Sequence, residues 1–123
     1  MYKKILNNLK LDGMTTFQNN YDSIERLIYM EGLRIKTIDV HPELDLLLVI
    51  LNTNAVLQQK ISSYPLLKLA TKEQLLQYTI QANGTGIYWH SLDEDLSLKG
   101  FLTDTLKRFV GNAPTNTQTA YAA

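Results

Sequence analysis

The sequence contains no cysteine. Disulfides, thiol nucleophiles and thiolate metal sites are therefore excluded. The absence is compatible with a reducing compartment, and a cytoplasmic location is expected. An excess of charge of one sign is missing as well, because 12 Lys and Arg offset 12 Asp and Glu. Domains that live on nucleic acid usually carry a basic excess, since phosphate neutralisation supplies most of their affinity. Nucleic acid is thus not the expected partner. Long apolar runs are lacking too. The longest, residues 44–51, is interrupted by Asp45, far short of the roughly 20 residues of a membrane-spanning helix. Met1, Tyr2, Lys3, Lys4, Ile5 and Leu6 give way at once to Asn7 and Asn8, which is too short an apolar core for a signal peptide. No membrane association is expected. A chain of 123 residues is one domain with short ends, and it is long enough to bury a core without cross-links.

Periodicity divides what is there. Ile5, Leu6 and Leu9 have helical spacing in a short polar segment. A better helix runs over residues 22–31: Asp22 or Ser23 can cap it, Ile24, Leu27 and Ile28 share a face, and Gly32 can end it. Residues 1–32 thus read as an N-terminal extension with an amphipathic helix. From Leu33 the pattern alternates up to Val40, and His41, Pro42 and Glu43 interrupt it. Residues 44–51 form a nearly continuous apolar strand, suited to a central position. Asn52, Thr53 and Asn54 make a turn, and residues 55–61 a third strand. Pro65 suits a first helical turn, with Leu66, Leu67 and Leu69 facing inward. Thr71 and Gln74 have the spacing of a capping box. Residues 79–82 and 87–89 are short strands around the turn at Asn83, Gly84, Thr85 and Gly86. Ser97 can cap a last helix that carries Leu98, Phe101, Leu102, Leu106 and Phe109, which Gly100 weakens if it lies in the interior. Residues 111–123 are small and polar and read as a disordered tail. No sequence repeat is visible. The expected class is α+β: an antiparallel three-stranded meander with packed helices, a short Gly-turn hairpin and a C-terminal helix, over residues 33–110.

Few residues offer chemistry. Asp93, Glu94 and Asp95 could face a hard cation. Three consecutive carboxylates do not converge on one ion unless the loop wraps it, and the spacing of a calcium loop is missing. An acidic turn favouring the positive end of the helix after Ser97 accounts for them better. Residues 83–86 lack the Lys of a phosphate loop and the third glycine of a dinucleotide fingerprint. His41 and His90 have no nucleophile or acid at a diagnostic spacing. The seven tyrosines lack interleaved basic residues, so packing explains them better than base stacking. Lys107 and Arg108 are too small a pair for a binding patch. No catalytic residue, metal ligand or cofactor site is assigned, and no enzyme is expected.

Several motifs occur in a telling order: Tyr64-Pro65-Leu66-Leu67, then Thr71 to Gln74, then Gly84-Thr85-Gly86-Ile87-Tyr88-Trp89, then Leu92-Asp93-Glu94-Asp95-Leu96-Ser97, then Gly100-Phe101-Leu102. In that order they resemble a small bacterial family, domain of unknown function 2442. With the strands from Leu33 onward the likeness covers residues 33–102. The chain departs from it at Asn52-Thr53-Asn54, where the family usually has Asp-Gly, and at Leu66, where a basic residue is common. The resemblance implies an α+β fold and supplies no catalytic residues. It also implies small accessory proteins, some joined to a DNA-binding helix-turn-helix and some encoded beside toxin-like proteins. No such domain is expected after Phe109. A non-enzymatic, antitoxin-like interaction protein follows, acting as a homodimer or with a small protein partner. A dimeric DNA-contacting regulator is the alternative. Tyr64, Pro65, Gly84, Gly86, Trp89, Leu92, Asp93, Glu94 and Asp95 are the candidate residues, structural or facing a partner.

Overall fold

The computed structural model describes residues 20–111. The expectations for Ile5, Leu6 and Leu9 and for a disordered tail after Gly111 fall outside them. The chain forms two compact units, Met1–Gly32 and Leu33–Ala123.

In the first unit, α1 (Ser23–Glu25) opens with a capping box. The Asp22 carboxylate accepts from the Glu25 amide at 2.7 Å, and the Glu25 carboxylate accepts from the Asp22 amide at 3.1 Å. The helix then widens into a π turn over Arg26–Met30, closed by the Glu31 amide on the Arg26 carbonyl at 3.0 Å. A regular α-helical face over residues 22–31 is therefore not formed. Tyr21 and Tyr29 stack with centroids 5.4 Å apart. Gly32 ends the segment at φ +80°, which glycine adopts without steric cost.

The second unit carries the α+β fold. Its first sheet is an antiparallel meander of β1 (Ile35–His41), β2 (Leu46–Leu51) and β3 (Val56–Lys60), with β2 central. β2 buries Leu47, Val49 and Leu51 and half-buries the residues between them, hence its nearly continuous apolar sequence. β1 does not alternate as simply as its sequence suggests. A register shift between Ile35 and Thr37 puts both Ile35 and Ile38 inward, as one extra residue in a strand must. Leu44 was expected in β2. It lies instead in a tight turn, Pro42–Leu44, ended by Asp45 at φ +54°. The expected turn at residues 52–54 forms, with Asn54 at φ +72°.

From β3 the chain passes through α2 (Pro65–Lys68) and α3 (Lys72–Leu75). Pro65 opens α2, and the Thr71–Gln74 capping box forms as expected. A second meander follows: β4 (Tyr78–Gln81), β5 (Gly86–Trp89) and β6 (Glu94–Ser97). The first and second sheets share one plan. His41 pairs with Leu46 as Gln81 pairs with Gly86, each across a tight turn with a left-handed residue, Asp45 or Asn83. The left-handed positions within the two turns differ: Asp45, the last residue of the first turn, against Ala82, Asn83 and Gly84, the first three of the second. The 14-residue α4 (Leu98–Gly111) closes the unit. Ser97 caps it through Oγ, which accepts from the Gly100 amide at 2.9 Å. Gly100 thus sits in the first turn, where the interior penalty does not apply.

Candidate functional site

The signature residues do separate jobs. Trp89 is fully buried, and its indole N–H donates to the Leu75 carbonyl at 3.0 Å. Leu92 is half-buried in the turn that follows. Gly84 is buried at φ +85°, and a Cβ there would stand 3.0 Å from both Arg34 Cβ and the Ile35 carbonyl. The glycine lets the second sheet's turn meet the start of β1. Gly86 is buried on β5 opposite Ser97.

The acids do not form the expected acidic turn at the start of the last helix. Asp93 is a left-handed turn residue at φ +50°, while Glu94 and Asp95 belong to β6. A strand residue alternates sides, so three consecutive acids cannot share a face. Asp93 and Asp95 each bind on the outer face of the second sheet. Tyr88 Oη donates to Asp93 Oδ1 at 2.9 Å, and Gln81 Nε2 donates to Asp95 Oδ1 at 3.1 Å. The hydrogen bond to Asp93 holds the Tyr88 phenol above its usual pKa. Thr79 Oγ1 lies 2.7 Å from His90 Nε2, and the His90 ring stands edge-on to Tyr88 at 4.8 Å. Among the described residues no group of three or more His, Asp and Glu converges as a metal ion needs. His41 is half-buried at the end of β1, 2.9 Å from Asp39 and 3.6 Å from Glu43. Chiefly the Asp39 hydrogen bond raises its pKa.

A polar node that the sequence reading did not single out joins β3 to α4. Gln59 is buried, at 3% exposure. Its Nε2 donates to Thr105 Oγ1 at 3.1 Å and to the Phe101 carbonyl at 3.3 Å. Its Oε1 accepts from Arg108 Nη1 at 2.9 Å and from Tyr64 Oη at 3.4 Å. Tyr64 Oη shares its single proton between Gln59 and Asp104 Oδ2, the nearer acceptor at 3.2 Å, and its ring stands edge-on to Phe101. Burial first, then the Asp104 charge, pushes the Tyr64 phenol well above its ordinary pKa. Tyr64 of the signature therefore braces the C-terminal helix. The available signal was Gln59 itself, a polar side chain at an inward position of a strand between Leu57 and Ile61.

Beside this node opens a groove of about 570 Å³ between β3, the Pro42–Leu44 turn and the last turns of α4. Leu44, Val56 and Phe109 line it and are 66%, 51% and 77% exposed. Apolar side chains grouped around a concavity differ from scattered surface hydrophobics, which need no explanation. The groove's charges are mixed: Asp45, Lys60 and Arg108. It presents no nucleophile–base pair.

No match is found among curated proteins. Two solved structures share the fold. One is a crystal structure of a protein of unknown function from Rhodospirillum rubrum ATCC 11170. It is 25% identical with a TM-score of 0.54, over 59% of this chain and 88% of that one. The other is the solution structure of the uncharacterised protein CV0863 from Chromobacterium violaceum. It is 21% identical with a TM-score of 0.56, over 94% of each chain. The family described as protein of unknown function DUF2442 matches residues 37–104, which hold the second sheet, all but the first two residues of the first sheet, and the signature, and the chain belongs to that family.

Proposed function

We propose that this protein is a non-enzymatic accessory protein of the cytoplasm that acts by binding a small protein partner, in an antitoxin-like role, and that it self-associates as a homodimer. The groove between β3 and α4, with Leu44, Val56 and Phe109 exposed along it, carries this reading. Burying such side chains contributes about 1.5–3 kcal/mol each, enough for a few of them to dominate an interface. The neutral net charge supports the reading, because it favours association with proteins over polyanions. Light scattering at micromolar concentration and co-purification with the product of a neighbouring gene test it. Dimer mass and recovery of that partner are the expected results, both lost in Phe109→Asp with the melting temperature kept. A monomer that retains no partner refutes the reading.

A further inference from the structure

We infer that Arg108 is a latch that closes the open edge of β3 against strand pairing with a second copy of this chain. The inference goes beyond the groove reading and does not depend on it. β3 is an edge strand, with β2 on one side only. Its orientation follows from the ladder. The Leu51 amide donates to the Ala55 carbonyl at 2.9 Å, and the Ile61 amide donates to the Asp45 carbonyl at 3.4 Å. Residues 55 and 61 are therefore in hydrogen-bonded pairs with β2. Because such pairs alternate along an antiparallel ladder, residues 57 and 59 are as well. The amides and carbonyls of Val56, Gln58 and Lys60 then point to the open side.

Edge strands with free backbone groups invite pairing with another chain, and proteins blunt them with bulges, charges or cover. The other edge of this sheet has such a device, the register shift in β1 between Ile35 and Thr37. β3 has none of its own, since its register with β2 is regular throughout. Its one charged side chain, Lys60, sits at the end. A two-fold pairing about Gln58 would place Lys60 opposite Val56 of the second copy. The two lysines would then lie about 14 Å apart along the strands, farther than the screening length of about 8 Å at physiological salt. The strand's own charge does not prevent pairing, and neither does a chain with zero net charge.

Arg108 supplies what β3 lacks. Its Nη2 donates to the Gln58 carbonyl at 2.6 Å, at the centre of the open edge. Its Nη1 is fixed by buried Gln59 at 2.9 Å. An incoming strand would need its own amide nitrogen about 2.9 Å from that carbonyl, in the space the guanidinium fills. The planar fork binds two acceptors at once, which a lysine cannot reproduce in full.

Sedimentation velocity over a wide concentration range tests the latch in the full chain. Arg108→Ala is expected to gain concentration-dependent association, its midpoint about tenfold or more below any shown by the wild type. Arg108→Lys, which keeps a cationic donor for the Gln58 carbonyl, gains less association than Arg108→Ala. Gln58→Lys places like charges face to face in the two-fold register. Added to Arg108→Ala, it removes the association gained there. Arg108→Met keeps the aliphatic length without the donors, and gives the same result should the alanine variant melt early. Association of Arg108→Ala and Arg108→Met no stronger than that of the wild type overturns the inference. So does association that persists when Gln58→Lys is added, because the contact is then not the β3 edge.

Discussion

The indole nitrogen of Trp89 donates to the backbone carbonyl of Leu75 at 3.0 Å, inside the core. Leu75 is the last residue of the four-residue α3, so its carbonyl has no partner within the helix. The tryptophan satisfies that group and docks α3 on the second sheet. Trp89→Phe keeps an aromatic ring but leaves the carbonyl buried without this donor and opens a small cavity. The expected cost is about 2–4 kcal/mol, which lowers the melting temperature by about 10 °C or more. A melting curve unchanged from the wild type refutes the docking role.

Gly84 and Gly32 both have strongly positive φ, yet they differ in surroundings. A Cβ at Gly84 meets Arg34 Cβ and the Ile35 carbonyl at 3.0 Å, whereas a Cβ at Gly32 meets nothing within 4 Å. Alanine at position 32 carries the backbone penalty alone, about 1–2 kcal/mol. Alanine at 84 adds a clash with backbone that cannot swing aside, and about 2–4 kcal/mol in all is expected. Urea unfolding midpoints of the two variants check the ordering. Equal losses would mean that the approach of the turn to β1 relaxes freely.

Much of this was legible in the residues. The apolar run after Asp45, the Asn52–Asn54 turn, the Thr71–Gln74 capping box and the Ser97 cap all follow from local chemistry, and the structure contains each. The bulge in β1 was not legible, because its register is set by pairing with β2 rather than by its own pattern. β6 was missed for a related reason. Glu94 and Asp95 have low intrinsic strand preference, and pairing with Trp89 and Tyr88 overrides it. The groove and the Gln59 node join residues more than 40 positions apart, a proximity that no local spacing encodes.

The pH dependence of stability should have two opposite components. Hydrogen bonds from Ser62 hold the Asp45 carboxyl below its ordinary pKa. Its contribution is present above that value and is lost as pH falls through the lower folded-state pKa. His41 is raised above 6.5, first by its hydrogen bond to Asp39. Its contribution is complete below 6.5 and disappears as pH rises through the folded-state value. Asp45→Asn should therefore differ from the wild type at neutral pH and converge with it in strong acid. His41→Gln should differ in mild acid and converge at alkaline pH. Chemical denaturation across the pH range checks both, and convergence at the opposite ends would reverse the assignments.

The partners of Gln59 should not be equally important to it. Its Oε1 accepts a charge-assisted bond from Arg108 at 2.9 Å and a neutral, longer bond from Tyr64 at 3.4 Å. Charged donors make the stronger bonds, and strength falls with distance. Tyr64 also keeps Asp104 as an acceptor when Gln59 is removed, and Arg108 keeps the Gln58 carbonyl. Gln59→Leu preserves volume and removes both functions, at an expected cost of about 1–3 kcal/mol. Double-mutant cycles separate the two bonds. Gln59→Leu with Arg108→Met should show a coupling of about 1 kcal/mol or more, and Gln59→Leu with Tyr64→Phe about half of that or less. A larger coupling to Tyr64 would mean that the phenol, and not the guanidinium, holds the buried amide in place between β3 and α4.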